Sequence, residues 1–247
     1  MRILPTRVEQ LSRLADDIMA LSLKLPQEER LQFLAGQYVD IIMKDGRRRA
    51  FSLANAPHND TVLELHIRRI EGGEFTGHVF DGLKVKDILR IEGPKGSFFL
   101  REDSKRPVIL LATGTGFAPI KGILEHAFAE GVKRPLHLYW GGRSRESLYL
   151  DAQVREWAQA HENFHYVPVL SRPDAGWEGR TGHVQAAAIA DLGQTLGEYE
   201  VYAAGSPQMV YSARDALVAG GLDPDHYYSD AFEFAEDDTA AKAKAEV

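Results

Sequence analysis

The feature that most constrains this chain is a glycine turn set between an apolar strand and a helix. Val108-Ile109-Leu110-Leu111-Ala112 is an unbroken apolar run, Gly114-Thr115-Gly116 follows it, and Pro119 opens a segment with helical character to residue 130. Proline suits the first helical position, because the N–H it lacks would have no partner there. A short apolar run bounded by turn residues reads as a strand buried on both faces. The alternation then continues, with strands over 136–140, Phe164–Leu170 and Glu200–Ala204 and a helix over 148–160. Ser206-Pro207 reads as an N-cap and a first-turn proline for a helix running towards Ala219. Such a pattern predicts a parallel sheet with helices on both faces.

The first hundred residues have a different texture. Ile41-Ile42-Met43 precedes the turn Lys44-Asp45-Gly46, and residues 61–68 partly alternate apolar and polar. Gly46, Pro57, Gly72-Gly73, Gly93-Pro94 and Gly96 punctuate these runs, which favours a barrel or sandwich of short strands. The charged stretch Arg101-Glu102-Asp103-Ser104-Lys105-Arg106-Pro107 marks the change. The expected organisation is a β-domain over 1–103, an α/β domain over 104–234 and a charged, alanine-rich tail over 235–247.

Composition closes off several functions. With 44% apolar and 26% charged residues the chain is of ordinary globular type, and a net charge of −7 argues against coating nucleic acid. It contains no cysteine, so it holds no disulfide, thiolate metal site, catalytic thiol or cysteine-ligated iron–sulfur cluster. No metal is expected to be bound through the nine histidines. No apolar run approaches the roughly 20 residues that span a bilayer. The N-terminus has no signal-peptide core, so a cytoplasmic location without membrane attachment is the expectation.

Six glycine- or arginine-bearing segments carry candidate chemistry. Arg49-Ala50-Phe51-Ser52 places a cation, a flat apolar ring and a hydroxyl on one strand, the three group types a flavin nucleotide needs. On these residues alone, an ordinary basic strand end after Arg47-Arg48 is the favoured reading. Gly72-Gly73-Glu74-Phe75-Thr76 reads as a glycine turn at a helix start, where backbone N–H groups and the helix dipole favour an anion, or as a plain loop. Gly114-Thr115-Gly116 occupies the place where a doubly wound sheet binds a dinucleotide pyrophosphate, although Pro119 stands where a third glycine would complete the fingerprint. Gly205-Ser206 repeats the strand-then-glycine arrangement, with Met209 one turn on. Gly142-Arg143 and Ser171-Arg172 end two further strands and offer contacts for ribose or an adenosine phosphate, with surface salt-bridging as the alternative for each arginine.

Taken in order, these segments resemble the ferredoxin–NADP reductase superfamily. The carrying residues are Gly36-Gln37-Tyr38, Arg49 to Ser52, Gly73 to Thr76, Gly114 to Pro119, Trp140 to Arg143, Gly205 to Met209 and Asp230-Ala231-Phe232. The likeness extends from about residue 4 to residue 234, and is greatest to NAD(P)H–flavin reductases and to glucoseen-reductase-like modules. It implies an antiparallel flavin-binding barrel followed by a nicotinamide-binding α/β domain, with the active site between them. It also implies roles. Arg49 would pair with a flavin phosphate, Phe51 would pack on the isoalloxazine and Ser52 would bond near N5. His66, Ile67 and Arg68 would edge the ring or ribityl chain, Gly73 and Thr76 would hold the pyrophosphate of FAD, in preference to FMN, and Phe75 would also contact the cofactor. Gly114, Thr115, Gly116 and Pro119 would hold NADH or NADPH, with Gly205, Ser206 and Met209 beside the nicotinamide. Asp230 and Phe232 match the family's acidic-x-aromatic ending that guards the flavin face. Ala204-Gly205 departs from the family's frequent Cys-Gly.

The function implied is an FAD-dependent NAD(P)H oxidoreductase that takes hydride from nicotinamide, with NADH favoured, and passes electrons to a separate acceptor such as a ferredoxin, an iron–sulfur protein or an oxygenase. Two other readings stand beside it: a reductase that releases reduced free flavin, and a non-catalytic electron-transfer or regulatory subunit.

Overall fold

The computed structural model describes residues 2–229. They fall into two compact units, one formed by residues up to Arg101 together with Ala118–Val132, the other by Glu102–Phe117 and the chain from Lys133 onward.

The first unit is antiparallel. Its strands are β1 (Arg2–Ala15), β2 (Ile18–Lys24), β3 (Tyr38–Ile42), β4 (Arg48–Ser52), β5 (Val62–Arg68) and β6 (Ile88–Lys95), with α1 (Glu74–Asp81) between the last two. They form a six-stranded sheet in the order β4-β3-β6-β1-β2-β5. A bridge between Leu53 and Leu65, with the Ala54 N–H donating to the Glu64 carbonyl at 2.8 Å, joins the two edges and closes the barrel. Closure removes the exposed edges that would invite pairing with another chain. Strand alternation fills the interior: Leu4, Thr6 and Val8 point inward from β1 and meet Leu21, Leu23, Val39, Ile41, Leu63, Leu65 and Ile91. Each such large aliphatic side chain contributes roughly 1.5–3 kcal/mol by leaving water.

The second sheet is parallel. It contains β7 (Val108–Thr113), β8 (Leu136–Gly142), β9 (Phe164–Leu170), β10 (Arg180–Thr181), β11 (Glu200–Ala204) and β12 (Tyr227–Ser229), in the order β10-β9-β8-β7-β11-β12. The chain enters at β7, builds outward through β8 and β9, then returns to lay β11 on the other side of β7. The carboxyl ends of β7 and β11 therefore meet at a topological switch point, where open α/β sheets bind ligands. The helices are α2 (Phe117–Ala129), α3 (Asp151–Ala160), α4 (Val184–Leu192) and α5 (Pro207–Ala219). From Ala118 onward α2 is grouped with the first unit.

The strands read from the apolar runs after residue 107 are all present, and Ser206 caps α5 by accepting from the Met209 N–H at 3.3 Å. Two helix starts differ from the reading. α2 begins at Phe117, so Pro119 is its third residue; its missing N–H still lies in the first turn, where no donor is needed. The segment from Leu148 becomes helical only at Asp151, after a 3₁₀ turn over Arg145–Ser147.

Candidate coenzyme-binding sites

Three consecutive arginines enter β4, and the structure separates their roles. Arg47 is ion-paired with Asp45 in its own turn and with Glu74 in the first turn of α1. Arg48 Nε lies 3.0 Å from Glu92 Oε2 on β6. Arg49 donates only to the Arg48 carbonyl, at 2.8 Å, and forms no ion pair among the described residues. It is therefore the exposed cation of the three left for an external anion. Two residues on, Phe51 is half-buried against the barrel core, its ring 5.5 Å from that of Phe75 at 47°. Ser52 ends β4 opposite Tyr38 of β3. The Arg47–Glu74 pair ties the turn before β4 to the start of α1, which carries Phe75.

The turn before α1 works differently from the sequence reading. Gly73 is the N-cap, but the Thr76 hydroxyl is buried and committed: it accepts from the Ile70 N–H at 3.1 Å and donates to the Gly73 carbonyl at 3.3 Å. Thr76 thus holds the loop shut, and what this end offers an anion is the row of first-turn N–H groups. The segment 66–68 is also revised. His66 and Ile67 are interior residues, 5% and 0% exposed, so neither side chain reaches a ligand on the barrel surface. His66 Nε2 lies 2.7 Å from Glu64 Oε1. Burial pushes the pKa of His66 down against the opposing pull of Glu64, leaving a neutral ring whose Nε2–H donates to the carboxylate. Arg68 is exposed and paired with Asp17 at 3.0 Å.

In the second unit the two glycine turns converge. A Cβ on Gly116 would lie 2.2 Å from the Ala204 carbonyl oxygen, and one on Gly205 would lie 2.2 Å from Thr113 Oγ1 and 2.7 Å from Met209 Cε. The absence of these side chains lets the turn after β7 press directly on the end of β11, bringing Gly114, Thr115, Gly116, Gly205, Ser206 and Met209 together at the switch point. Beneath the turn, Phe117 and Trp140 stack at 3.9 Å and 14°, and Trp140 Nε1 donates to the Gly114 carbonyl at 3.3 Å. Thr113, Phe117 and Trp140 support the turn, and the sequence reading assigned them no such part.

The ends of β8 and β9 run side by side. The Ser171 N–H donates to the Gly142 carbonyl at 3.0 Å and the Arg172 N–H to the Arg143 carbonyl at 3.0 Å. Of four arginines in these segments, two are spent internally: Arg145 on Asp174 at 2.9 Å, and Arg180 on Asp191. Arg143 and Arg172 are exposed and make no ion pair among the described residues. Asp230 and Phe232 lie outside the described residues.

Comparison with known proteins matches this architecture. Residues 5–100 match the family described as oxidoreductase FAD-binding domain, and residues 110–215 the oxidoreductase NAD-binding domain. The chain is 42% identical to the CDP-6-deoxy-L-threo-D-glycero-4-hexulose-3-dehydrase reductase of Yersinia pestis, over 92% of this chain and 68% of that protein. It is 36% identical to an NAD(P)H-flavin reductase of Aliivibrio fischeri, over 85% of this chain and 91% of the relative. Among solved structures, the cytochrome P450 reductase GcoB of Amycolatopsis superposes with a TM-score of 0.87 at 35% identity, covering 94% of this chain and 70% of that one. A barrel that presents an unpaired arginine beside an aromatic pair, and a parallel sheet with paired glycine turns at its switch point, thus sit on domains of matching kind: the chain belongs to the ferredoxin–NADP reductase superfamily and is an FAD- and NAD(P)H-dependent flavin oxidoreductase.

Proposed function

We propose that this chain is a reductase component that draws electrons from a reduced nicotinamide and delivers them to a separate redox protein. The observation that carries the flavin site is the division of labour among Arg47, Arg48 and Arg49: two are neutralised by carboxylates, and the third makes no ion pair among the described residues. An exposed guanidinium without a carboxylate fits a phosphate, which it can bind through a bidentate fork. The donor set therefore fits FAD, with Arg49 and the α1 N–H groups for its phosphates, Phe51 and Phe75 for flat apolar contact, and Ser52 as a hydrogen-bond donor.

Bound FAD would supply hydride acceptance and stepwise electron release, chemistry that no side chain supplies. The protein's part is placement. Ser52 would offer its hydroxyl to the redox nitrogen of a bound flavin, and a donor fixed in advance needs no reorganisation during transfer. The turn Gly114-Thr115-Gly116 with Gly205 and Ser206 offers N–H groups and room for a pyrophosphate at the switch point. Arg143 and Arg172 supply charge for a ribose phosphate, so NADPH is accepted alongside NADH.

Two observations support a separate acceptor. These 247 residues contain no cysteine to ligate a cluster, and a relative at 42% identity is named as the reductase of a dehydrase. The match to an NAD(P)H-flavin reductase over 91% of its length supports the second reading, release of reduced free flavin. A desalting column separates the two: protein that emerges yellow and is bleached anaerobically by NADH retains its flavin, whereas colourless protein that reduces added flavin borrows it. In the retained case, Ser52→Ala slows bleaching while flavin stays bound. A rate equal to wild type would remove Ser52 from the reaction.

A further inference from the structure

α2 is apolar along most of its length, yet it carries Lys121 and Glu125 one turn apart within the first unit. The Lys121 side chain is only 6% exposed. Its ammonium has three acceptors: the Ala54 carbonyl at 3.0 Å, Glu125 Oε1 at 2.7 Å and Glu64 Oε2 at 3.3 Å. An ammonium has three protons, so its donor capacity is filled. Glu125 continues the chain of contacts by accepting the Ala56 N–H on Oε2 at 3.3 Å. Glu64 accepts from His66 on its other oxygen, and its own N–H donates to Asn55 Oδ1 at 2.8 Å. Burial alone would raise the pKa of Glu64, but the His66 bond and the Lys121 charge outweigh it and hold the carboxyl below its ordinary range.

All of these contacts converge on Ala54, Asn55 and Ala56, the segment that begins two residues after Ser52. α2 also touches this segment along its backbone: a Cβ on Gly122 would lie 3.1 Å from the carbonyl oxygens of both Leu53 and Asn55. A buried ion pair is a poor way to gain stability, because desolvation offsets its attraction. Its distinctive contribution is direction, since Lys121 fixes the Ala54 carbonyl and Glu125 the Ala56 N–H of the chain leaving β4. None of the residues read as coenzyme ligands takes part, apart from the His66 ring.

We propose that Lys121 is a positioning residue for flavin reduction: by gripping the Ala54 carbonyl and orienting Glu125 onto the Ala56 N–H, it sets the backbone that aims the Ser52 hydroxyl. This rests on the reading of Ser52 as the donor beside the flavin.

The test is anaerobic stopped-flow reduction by NADH of the flavin-loaded full chain, compared across wild type, Ser52→Ala, Lys121→Met, Glu125→Ala and Glu125→Gln. Misplacement by a fraction of an ångström lowers the limiting reduction rate of Lys121→Met by about tenfold, with the nicotinamide dissociation constant unmoved. Glu125→Ala slows the same step by a smaller factor, and Glu125→Gln recovers most of it, because the amide oxygen still accepts from Ala56. A folded Lys121→Met protein with the wild-type limiting rate and flavin spectrum overturns the proposal. Where Lys121→Met does not fold, the partly exposed Glu125 carries the test: Ala slow with Gln restored supports it, while equal rates for both and wild type overturn it. Should Ser52→Ala itself reduce at the wild-type rate, the underlying reading fails and this inference falls with it. Should Ser52→Ala be slow while the Lys121 and Glu125 variants match wild type, only the positioning role is lost.

Discussion

Arg49 illustrates what a side chain's neighbours decide. The run Arg47-Arg48-Arg49 is visible in the sequence, but which arginine is available depends on Glu74 and Glu92, 27 and 44 residues away along the chain. No local pattern reports such partners, which is why these four residues alone favour an ordinary basic strand end. Charge-assisted hydrogen bonds contribute about 1.5–3 kcal/mol, so Arg49→Ala is expected to weaken flavin binding by roughly tenfold to a hundredfold. Fluorescence titration of the apoprotein with FAD measures it; Arg48→Ala, which removes an arginine already neutralised, has the smaller effect. The same logic applies to Arg172: its replacement by Ala raises KM for NADPH while that for NADH stays near wild type, read from initial rates with each donor. Thr76 and His66 show the converse. Both residue types are chemically suited to ligands, and both are turned inward to satisfy the backbone or a carboxylate.

At the level of strands and helices the second sheet was legible because β7, β8 and β11 are short, largely apolar runs that end at a glycine. The individual strands of the barrel were less so. β1 buries Thr6 between Leu4 and Val8, and polar residues interrupt the rest of its fourteen positions. α4 was missed because apolar residues run around it with little alternation, and β10 is only two residues long. The switch point follows from strand order, which depends on long-range pairing of β7 with β11. It makes Gly116 a demanding position. Gly116→Ala sets a methyl 2.2 Å from the Ala204 carbonyl, so the turn must move off β11. The expected cost is about 1–3 kcal/mol, with a raised KM for either nicotinamide and flavin binding retained. Thermal melts and steady-state kinetics check the two parts separately.

For the molecule as a whole, titration of buried histidines links stability to pH. His137 on β8 faces His165 on β9, with ring centroids 4.7 Å apart. Burial first, and then the neighbouring His165 charge, push its pKa from 6.5 down to about 4. The unfolded chain binds this proton between those values and the folded chain does not, so stability falls as pH drops from 6.5 towards 4 and is fully retained above that window. Burial lowers the pKa of His66 as well, which adds to the same trend. Substituting His137→Gln is expected to flatten the decline of melting temperature with acidification; a profile parallel to wild type would refute the assignment.

The indole under the glycine turn has one more effect. A trans peptide points its C=O and the following N–H in opposite directions. Because Trp140 draws the Gly114 oxygen inward, the Thr115 amide hydrogen is turned outward, and the negative pole of that linkage is hidden from any arriving anion. Trp140→Phe would keep the ring but remove one of two donors to that oxygen, leaving the Phe117 N–H to hold the linkage by itself.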